Sequence, residues 1–427
     1  MSGCPDTDGL DVRARTDAVA GGTKSFFLRT LDGGTGLVGV RAMDWPQTPT
    51  EYLSKFQPPF CPWRECSEHR RVLPGYGFQR HGYFSTGRRW KIPRFRCKTC
   101  KRTYSRQTFS VSYYRKRPEL LLPIAAGLVA GSALRQIARS VDCAPNTAAR
   151  MAAHLGRHSM LLHAESLACL RGRVKEPFGF DHFETFEFTQ DYPFGIGTSV
   201  GVDTWFTYTF DPAPHGRGGT RTPAQARRLR GRPKRPMHGC YEGSTSRAFD
   251  LLLPLCARKT LRIRCDAKPD YVRAARCHPQ AGRIQLERYR SVSRSERQAG
   301  STQAAKRDRA MFPLDLLHKI LRHSNANHKR ETIAFSRRLN AAMERMALTA
   351  VWRNFVKRRS ERRRRTSPTP AMEVGLTDEP WSWKRVLSRR LFPDRVELAP
   401  IWRRLYRREW ITPVLGSNAR HALRRAF

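Results

Sequence analysis

The chain has 427 residues, 39% of them hydrophobic, which is enough for two to four domains with real cores. Its 80 lysines and arginines stand against 36 aspartates and glutamates, and the formal net charge is +44. So large a charge predicts a polyanionic partner. We expect nucleic acid rather than an anionic membrane, because the basic residues recur along the whole chain and are not confined to one amphipathic segment.

The apolar segments are too short to span a membrane. The longest, residues 120–134, is interrupted by Pro123, two glycines and Ser132, and falls short of the ~18 residues that a span needs. The first residues, MSGCPDTDGLDVRART, have no apolar core typical of a signal peptide. We therefore expect no membrane partner and a cytoplasmic, nucleoid-associated protein.

Composition and periodicity divide the chain into five segments and predict a multidomain α+β protein. Residues 1–55, rich in Gly, Asp and Thr, are predicted to be a flexible leader. The other segments are a cysteine-containing β-hairpin module (56–112), a helical segment (118–165), a mixed α/β core (174–358) with basic insertions at 212–240 and 279–310, and a basic, tryptophan-rich helical tail (359–427).

Two cysteine pairs flank the predicted β-hairpin. Cys61 and Cys66 precede it and Cys97 and Cys100 follow it, so that the hairpin, with its turn at residues 85–87, would bring four thiolates together. This pattern predicts a zinc ribbon, in which the metal stabilises a module too small to hold itself by burial. His69 is an alternative to Cys66 as the fourth ligand. The remaining cysteines have no paired spacing and are predicted not to bind metal.

The helical segment carries a pattern typical of a helix-turn-helix. Apolar residues at three- and four-residue spacing predict two helices with a break at residues 141–144, Ser132 as an N-cap, and Pro145 in the first turn of the second helix. An ordinary helical hairpin would look the same, but the adjacent zinc motif and the net charge favour DNA binding. The second helix would enter the major groove, which makes Asn146, Thr147 and Arg150 the candidates for contacts with bases and phosphates.

Acidic residues at predicted strands indicate a carboxylate site in the core. In FGFDHFETFEF the phenylalanines at even positions form an apolar face, while Asp181, Thr185 and Glu187 share the opposite face. A carboxylate inside a core strand is costly unless a cation compensates it. A second strand, LRIRC, is followed directly by Asp266. Two strands would thus deliver two aspartates to one metal site.

A third acid is expected from a helix. In MFPLDLLHKILRH, Asp315, Lys319 and Arg322 fall at i, i+4 and i+7 on one helix face, which suits a site that holds both Mg²⁺ and a phosphate backbone. Glu331 with Arg338 offers the same spacing and is the alternative third acid.

Two basic segments and the tail tryptophans complete the candidates. RRLRGRPKRP (227–236) places Arg232 in a GRP triplet, a kind of segment that lies in an A·T-rich minor groove, although a solvated basic loop inserted in the core is the favoured interpretation. KRRSERRRR (357–365) would contact phosphates without reading sequence. The tail tryptophans are predicted to anchor the tail to the core.

The order of these features is zinc ribbon, helix pair, DHFETFEF, CDAKPDY, and DLLHKILRH followed by HKRETIAFSRR. Over about residues 60–360 it resembles the DDE/D transposases of small bacterial insertion sequences. The resemblance implies an RNase H-like catalytic core, in which Asp181, Asp266 and Asp315 hold Mg²⁺ or Mn²⁺ for cleavage and joining of DNA strands. The third acid is Asp where this family usually has Glu.

The resemblance also implies a partner and an assembly: double-stranded DNA, as element ends and target, bound by a homo-oligomer. Two other interpretations stay open at this point. One is a DNA-binding regulator built on the zinc ribbon and the helix-turn-helix, without catalysis. The other is a transposase descendant whose catalytic site has decayed.

Overall fold

A computed structural model describes residues 56–70, 76–85, 91–233, 240–363 and 366–418. The predicted leader (1–55), the last two residues of the 85–87 turn, the end of the RRLRGRPKRP segment, two arginines of KRRSERRRR and the tail end (419–427) lie outside the described residues. The described part is mixed α+β, as predicted.

A small antiparallel sheet forms the cysteine module. Its order is β1-β2-β3, with strands β1 (Phe78–Ser85), β2 (Lys91–Cys97) and β3 (Thr103–Ser105). Buried aromatic side chains, among them Phe95, Tyr104 and Phe109, fill its core, and Phe392 from the tail joins them. A sheet this small is stabilised by whatever covers it, and here the C-terminal tail is part of the cover.

Three helices follow: α1 (Leu121–Val129), α2 (Leu134–Ser140) and α3 (Pro145–Cys169). The predicted break at 141–144 is present, and Asp142 occupies it with φ 46°, a left-handed conformation that Asp tolerates better than most residues. The predicted N-cap was wrong: Ala133 is the N-cap of α2, and its N–H donates to Gln136 Oε1 at 2.8 Å. Helix α3 exposes Asn146 and Arg150 near its start, but from Met151 to Ala164 every residue is buried.

The second sheet has five strands in the order β6-β5-β4-β7-β8. Strands β4, β5 and β6 are antiparallel neighbours, whereas β4, β7 and β8 run parallel. Their bounds are β4 (Phe178–Phe186), β5 (Pro193–Gly201), β6 (Thr207–Pro214), β7 (Leu261–Asp266) and β8 (Ile284–Tyr289).

Helices pack on both faces of this sheet. Ser244 of helix α5 (Cys240–Leu252) and Tyr271 of helix α6 (Pro269–Cys277) contact His182 of β4. His318 of helix α8 (Thr302–Ser324) contacts Phe183, the next residue along β4. Because successive side chains of a strand point to opposite faces, α5 and α6 lie on one face and α8 on the other. These helices are α4 (Pro223–Arg230), α5 (Cys240–Leu252), α6 (Pro269–Cys277), α7 (Arg294–Gln298), α8 (Thr302–Ser324) and α9 (Leu339–Val351).

Both segments predicted as basic insertions contain regular structure. Residues 212–240 include the end of β6 and helix α4, and residues 279–310 include edge strand β8, helix α7 and the first turns of α8. Each residue of β8, IQLERY, is exposed or partly exposed, and two of the six are charged. This lack of a buried face is why the sequence was interpreted as a loop. Residues 325–338, where the i, i+7 spacing of Glu331 and Arg338 assumes a helix, are mostly irregular.

The tail packs against the core through short helices α10 (Pro370–Glu373), α11 (Trp383–Val386) and α12 (Pro400–Tyr406). Trp402 is 1% exposed, and its indole N–H donates to the carbonyl of Phe210 at 3.0 Å. This contact confirms an anchoring role for that tryptophan. Within the described part of the chain, no helix combines the length and apolar character needed to cross a bilayer.

Candidate functional site

Four cysteines form a cluster that could bind zinc. The Sγ atoms of Cys61 and Cys100 lie 3.7 Å apart, those of Cys66 and Cys97 lie 3.9 Å apart, and all four fall within 4.8 Å of one another. Zn–S bonds of ~2.3 Å in a tetrahedron place the sulfurs about 3.8 Å apart. Both the donor set and its spacing therefore fit a zinc ion.

The electrostatics of the cluster favour a bound cation. Burial raises the pKa of the Cys61 thiol, and the neighbouring cysteines raise it further, because their negative charges would repel a thiolate there. A divalent metal removes that repulsion. His69, the alternative ligand, does not join the cluster: it is buried, and its Nδ1 lies 2.7 Å from the carbonyl oxygen of Cys61.

Asp181 lies in the middle of the large sheet, on β4. Its Oδ1 accepts a hydrogen bond from the Tyr271 hydroxyl at 2.8 Å and lies 3.3 Å from the Lys268 ammonium. Burial alone would raise the pKa of Asp181, but the positive charge of Lys268 and the Tyr271 hydrogen bond help to lower it. Asp181 is thus held as a carboxylate.

The other two predicted acids lie beside one arginine. Asp266 ends β7, the parallel neighbour of β4, and Asp315 lies on α8, which packs against β4 and β5. The Arg307 guanidinium is 3.5 Å from Asp266 Oδ1 and donates to both carboxylate oxygens of Asp315, one of them at 3.3 Å. Burial raises the pKa of Asp266, and the charges of Asp181 and Asp315 add to that effect.

The structure therefore brings the three aspartates into one region, but their carboxylate oxygens do not converge on a single metal position. Among the described residues, the cysteine cluster is the only group of three or more potential ligands whose ligand atoms all lie within 4.8 Å of one another. Lys268 and Arg307 supply positive charge between the carboxylates instead.

A basic cleft of about 830 Å³ opens next to Asp181. His182 and Phe183, which follow Asp181 in β4, contribute to its wall together with Glu184 and His318. The cationic lining consists of Lys319, Arg322, Lys329 and Arg330, and the His323 side chain lies among them. Such a concentration of positive charge suits a phosphate backbone.

Two residues predicted to contact DNA, Lys319 and Arg322, line this cleft, and they differ in how far their side chains are engaged within the protein. Lys319 is exposed. Arg322 donates to the carbonyl oxygens of His328 and Glu184, both at 2.6 Å, and lies 4.2 Å from the centre of the Phe183 ring. Arg322 thus has a structural role, and its contact with DNA stays a prediction.

The alternative acid, Glu331, is exposed in the irregular stretch between α8 and α9. Its supposed i, i+7 pairing with Arg338 was wrong, because no helix connects them, and Arg338 donates to Asn418 Oδ1 at 3.0 Å instead. Asp315, by contrast, does share helix α8 with Lys319 and Arg322, as predicted.

Arg232, predicted to contact DNA, forms an ion pair inside the protein. Its guanidinium lies 3.0 Å from Asp191, whose side chain is completely buried. Arg217 and Arg228 bind the same carboxylate at 2.9 and 3.1 Å. This three-arginine cluster ties the 212–233 segment to the sheet domain, so the GRP triplet is not simply a free basic loop.

The predicted recognition residues lie where the helix pair meets solvent. Asn146 and Arg150 are exposed and Thr147 is partly exposed, all in the first two turns of α3.

Two arginines of the basic linker, KRRSERRRR, make contacts inside the protein. Arg358 donates to the carbonyl of Ser367 at 2.6 Å and Arg359 forms an ion pair with Glu373 at 3.0 Å. Part of KRRSERRRR therefore stabilises the fold.

Sequence reasoning missed several residues around the three aspartates: Lys268, Tyr271 and His182 near Asp181, and Arg307 beside Asp266 and Asp315. Lys268 and Tyr271 stand in CDAKPDY at the spacing of one helical turn, a signal that both lie near Asp266. Their contact with Asp181 depends on β4 and β7 being neighbours, which no local pattern reveals.

In comparisons with family models, curated proteins and solved structures, nothing matched this chain.

Proposed function

We propose that this chain is a DNA transposase of the DDE/D type, which binds DNA through its zinc ribbon and helix pair and cuts and joins strands at Asp181, Asp266 and Asp315. The proposal rests on the resemblance of the sequence motifs and on the placement of these acids. Its substrates would be double-stranded element ends and target DNA, and the working form a homo-oligomer.

The observation that carries the proposal is the convergence of three acids distant in sequence. Asp181 lies on the central strand, Asp266 at the end of the parallel strand beside it, and Asp315 on a helix packed against the central strand. The sheet has the order β6-β5-β4-β7-β8, in which β4, β5 and β6 are antiparallel neighbours and β7 and β8 run parallel to β4. This is the arrangement that we expect of an RNase H-like core. A chance set of surface acids would not share such a region.

The residues suit magnesium or manganese by donor type. Carboxylate oxygens are the ligands that these hard cations prefer, and Asp181, Asp266 and Asp315 would hold them. Bound ions would activate water or a 3′-hydroxyl and stabilise the leaving oxygen. For all three acids to act together, Arg307 must give up its contacts with Asp266 and Asp315. Lys268 would remain to orient Asp181.

DNA would approach along the positive surfaces. The cleft beside Asp181 offers the exposed cations Lys319, Lys329 and Arg330 for backbone phosphates. Helix α3 offers Asn146 and Arg150 for base and phosphate contacts. Because α3 continues into the core and packs on α9, a contact made at its start is held rigidly relative to the carboxylates.

The second candidate function, a DNA-binding protein without catalysis, is favoured by Arg307. A guanidinium that bridges Asp266 and Asp315 neutralises the charge that would attract metal ions. A regulator and a decayed transposase both fit this ion pair. Strand cleavage separates them from the active enzyme.

The test is Mg²⁺-dependent nicking of a supercoiled plasmid that carries the gene with its flanking DNA. The wild type should nick it, and Asp181→Asn and Asp266→Asn should lose about 100-fold or more, since each removes a metal ligand. Asp250→Asn, an exposed carboxylate of α5, is the matched control and should retain full activity.

Each result decides between the interpretations. Asp315→Asn compared with Glu331→Gln identifies the third acid. Full activity in Asp181→Asn would refute the assigned site. A wild-type protein that binds the plasmid but does not nick it would support the regulator or the decayed enzyme.

A further inference from the structure

A chain of buried hydrogen bonds extends from Asp181 through Tyr271 and His182 to Ser244 of α5. The Tyr271 hydroxyl is 2.8 Å from Asp181 Oδ1, His182 Nδ1 is 3.0 Å from that hydroxyl, and Ser244 Oγ is 3.2 Å from His182 Nε2. Tyr271, His182 and Ser244 are at most 4% exposed. The chain thus joins β4, α6 and α5 through polar side chains alone.

The geometry fixes the position of each proton. An ionised Asp181 only accepts, so the single hydroxyl proton of Tyr271 goes to Oδ1. The Tyr271 oxygen then accepts from His182 Nδ1–H. An imidazole that carries its one proton at Nδ1 accepts at Nε2, so the Ser244 hydroxyl donates to Nε2.

The reversed arrangement is less favourable, because it would cost Asp181 the hydrogen bond from Tyr271. If Ser244 donated instead to the carbonyl of Asp211, 3.3 Å away, His182 would have to donate through Nε2 and accept at Nδ1. Tyr271 would then donate to His182, and Asp181 would have to be protonated to keep its hydrogen bond. The charge of Lys268, 3.3 Å from Oδ1, opposes that protonation.

The packing around His182 leaves space made by two glycines of β5. A Cβ atom at Gly197 would lie 2.7 Å from Ser244 Oγ and 3.2 Å from His182 Nε2. A Cβ at Gly195 would lie 3.1 Å from the His182 side chain. Any larger residue at Gly197 would displace the hydrogen-bonded pair, so the sequence of β5 is matched to this chain of bonds.

We propose that Tyr271, His182 and Ser244 are positioning residues that orient the Asp181 carboxylate for metal binding. This inference rests on the proposed function for its purpose, but not for its geometry. Tyr271 and Lys268 both hold Oδ1 of Asp181, the hydroxyl at 2.8 Å and the ammonium at 3.3 Å. These two contacts fix the orientation of the carboxylate. Hydrogen-bond partners of this kind tune metal sites strongly.

The first test reads the tautomer of His182 without any metal or DNA. In protein labelled with ¹⁵N-histidine, the wild type should show His182 protonated at Nδ1, with the signal assigned by its loss in His182→Gln. Tyr271→Phe removes the acceptor at Nδ1, so His182 should switch to Nε2–H and donate to Ser244. An Nε2–H tautomer in the wild type, or no change in Tyr271→Phe, would overturn the proposal.

The second test measures Mn²⁺ affinity of the full-length chain by calorimetry. Tyr271→Phe should weaken binding by about tenfold or more. Tyr208→Phe is the matched control, because Tyr208 is also buried and donates to a carboxylate, Glu176, at 2.9 Å but lies outside the carboxylate site. Equal losses in both variants would show a general packing effect and contradict the positioning role.

The two tests separate this inference from the proposed function. A wild type that binds no Mn²⁺ and nicks no DNA would refute the transposase proposal. It would also refute the metal-positioning purpose of the hydrogen-bonded chain. The tautomer measurement would still show whether the hydrogen-bonded chain exists as described.

Discussion

Replacing Asp191 with asparagine would remove a buried negative charge that three arginines share. The Asp191 side chain is completely buried, and the guanidinium groups of Arg217, Arg228 and Arg232 lie 2.9 to 3.1 Å from it. Asparagine has nearly the same shape, so the packing is kept while the charge is lost. The free energy of unfolding should therefore report on the ion pairs alone.

The magnitude follows from the burial of the carboxylate. At an effective dielectric constant of ~20, each pair attracts by roughly 4 kcal/mol before desolvation and the mutual repulsion of the arginines are subtracted. Removing one partner of a buried pair typically costs about 3–5 kcal/mol. Because Arg228 is half exposed, its charge is screened by water, and we expect the lower end, about 3 kcal/mol.

The effect should depend on pH in a defined direction. Burial would raise the pKa of Asp191, but the hydrogen bonds from Arg228 and Arg217 lower it below its ordinary value. A carboxylate whose pKa is lowered by folding contributes stability that is fully present above the unfolded pKa, about 3.9, and is lost as the pH falls through the folded pKa. The difference between Asp191→Asn and the wild type should therefore be full at neutral pH and shrink below about pH 4.

Urea unfolding followed by tryptophan fluorescence measures the loss, and trypsin digestion measures release of the 212–233 segment. Asp203→Asn, an exposed carboxylate, is the control and should match the wild type. A loss below about 1 kcal/mol at pH 7, together with unchanged tryptic fragments, would refute the role assigned to the three-arginine cluster.

Three further variants test other parts of the molecule. Cys97→Ser should abolish zinc retention in metal analysis, whereas Cys143→Ser, outside the cluster, should leave it intact. Phe392→Ala should destabilise the cysteine module by about 3 kcal/mol and release zinc at lower chelator concentration; unchanged release would contradict its place in that core. Arg150→Ala should reduce the slope of log K against log salt for DNA binding by about 1, while the exposed Arg258→Ala should not; equal slopes would remove Arg150 from the interface.

The sequence predicted best those features whose determinants lie close together in the chain. The cysteine cluster followed from two short pairs around one hairpin. The break between α2 and α3 followed from local helix periodicity and Pro145. The alternation of β4 placed Asp181 opposite the buried phenylalanines, and Phe178 and Phe180 are indeed in the core.

Features that depend on contacts between residues far apart in the chain could not be predicted from the sequence. Strand β8 lies within the arginine-rich segment 279–310, which was predicted as a basic insertion, and no local pattern indicates its parallel pairing with β7. Arg232 looked available for DNA because nothing nearby in sequence indicates that Asp191 lies against it. The contact of Tyr271 with Asp181 likewise requires knowledge of which strands are neighbours.

The contact between the cysteine module and the tail sets an order of events during synthesis. Phe392 packs against Phe60 with ring centres 5.1 Å apart, Arg395 lies 3.9 Å from the centre of the Phe60 ring, and the Arg390 backbone N–H donates to the carbonyl of Phe109 at 2.9 Å. These residues leave the ribosome long after the cysteines. A nascent chain that ends before residue 390 can gather its four thiolates but lacks part of the aromatic cover. The cysteine module therefore reaches its full stability only after residues 390–395 have been translated.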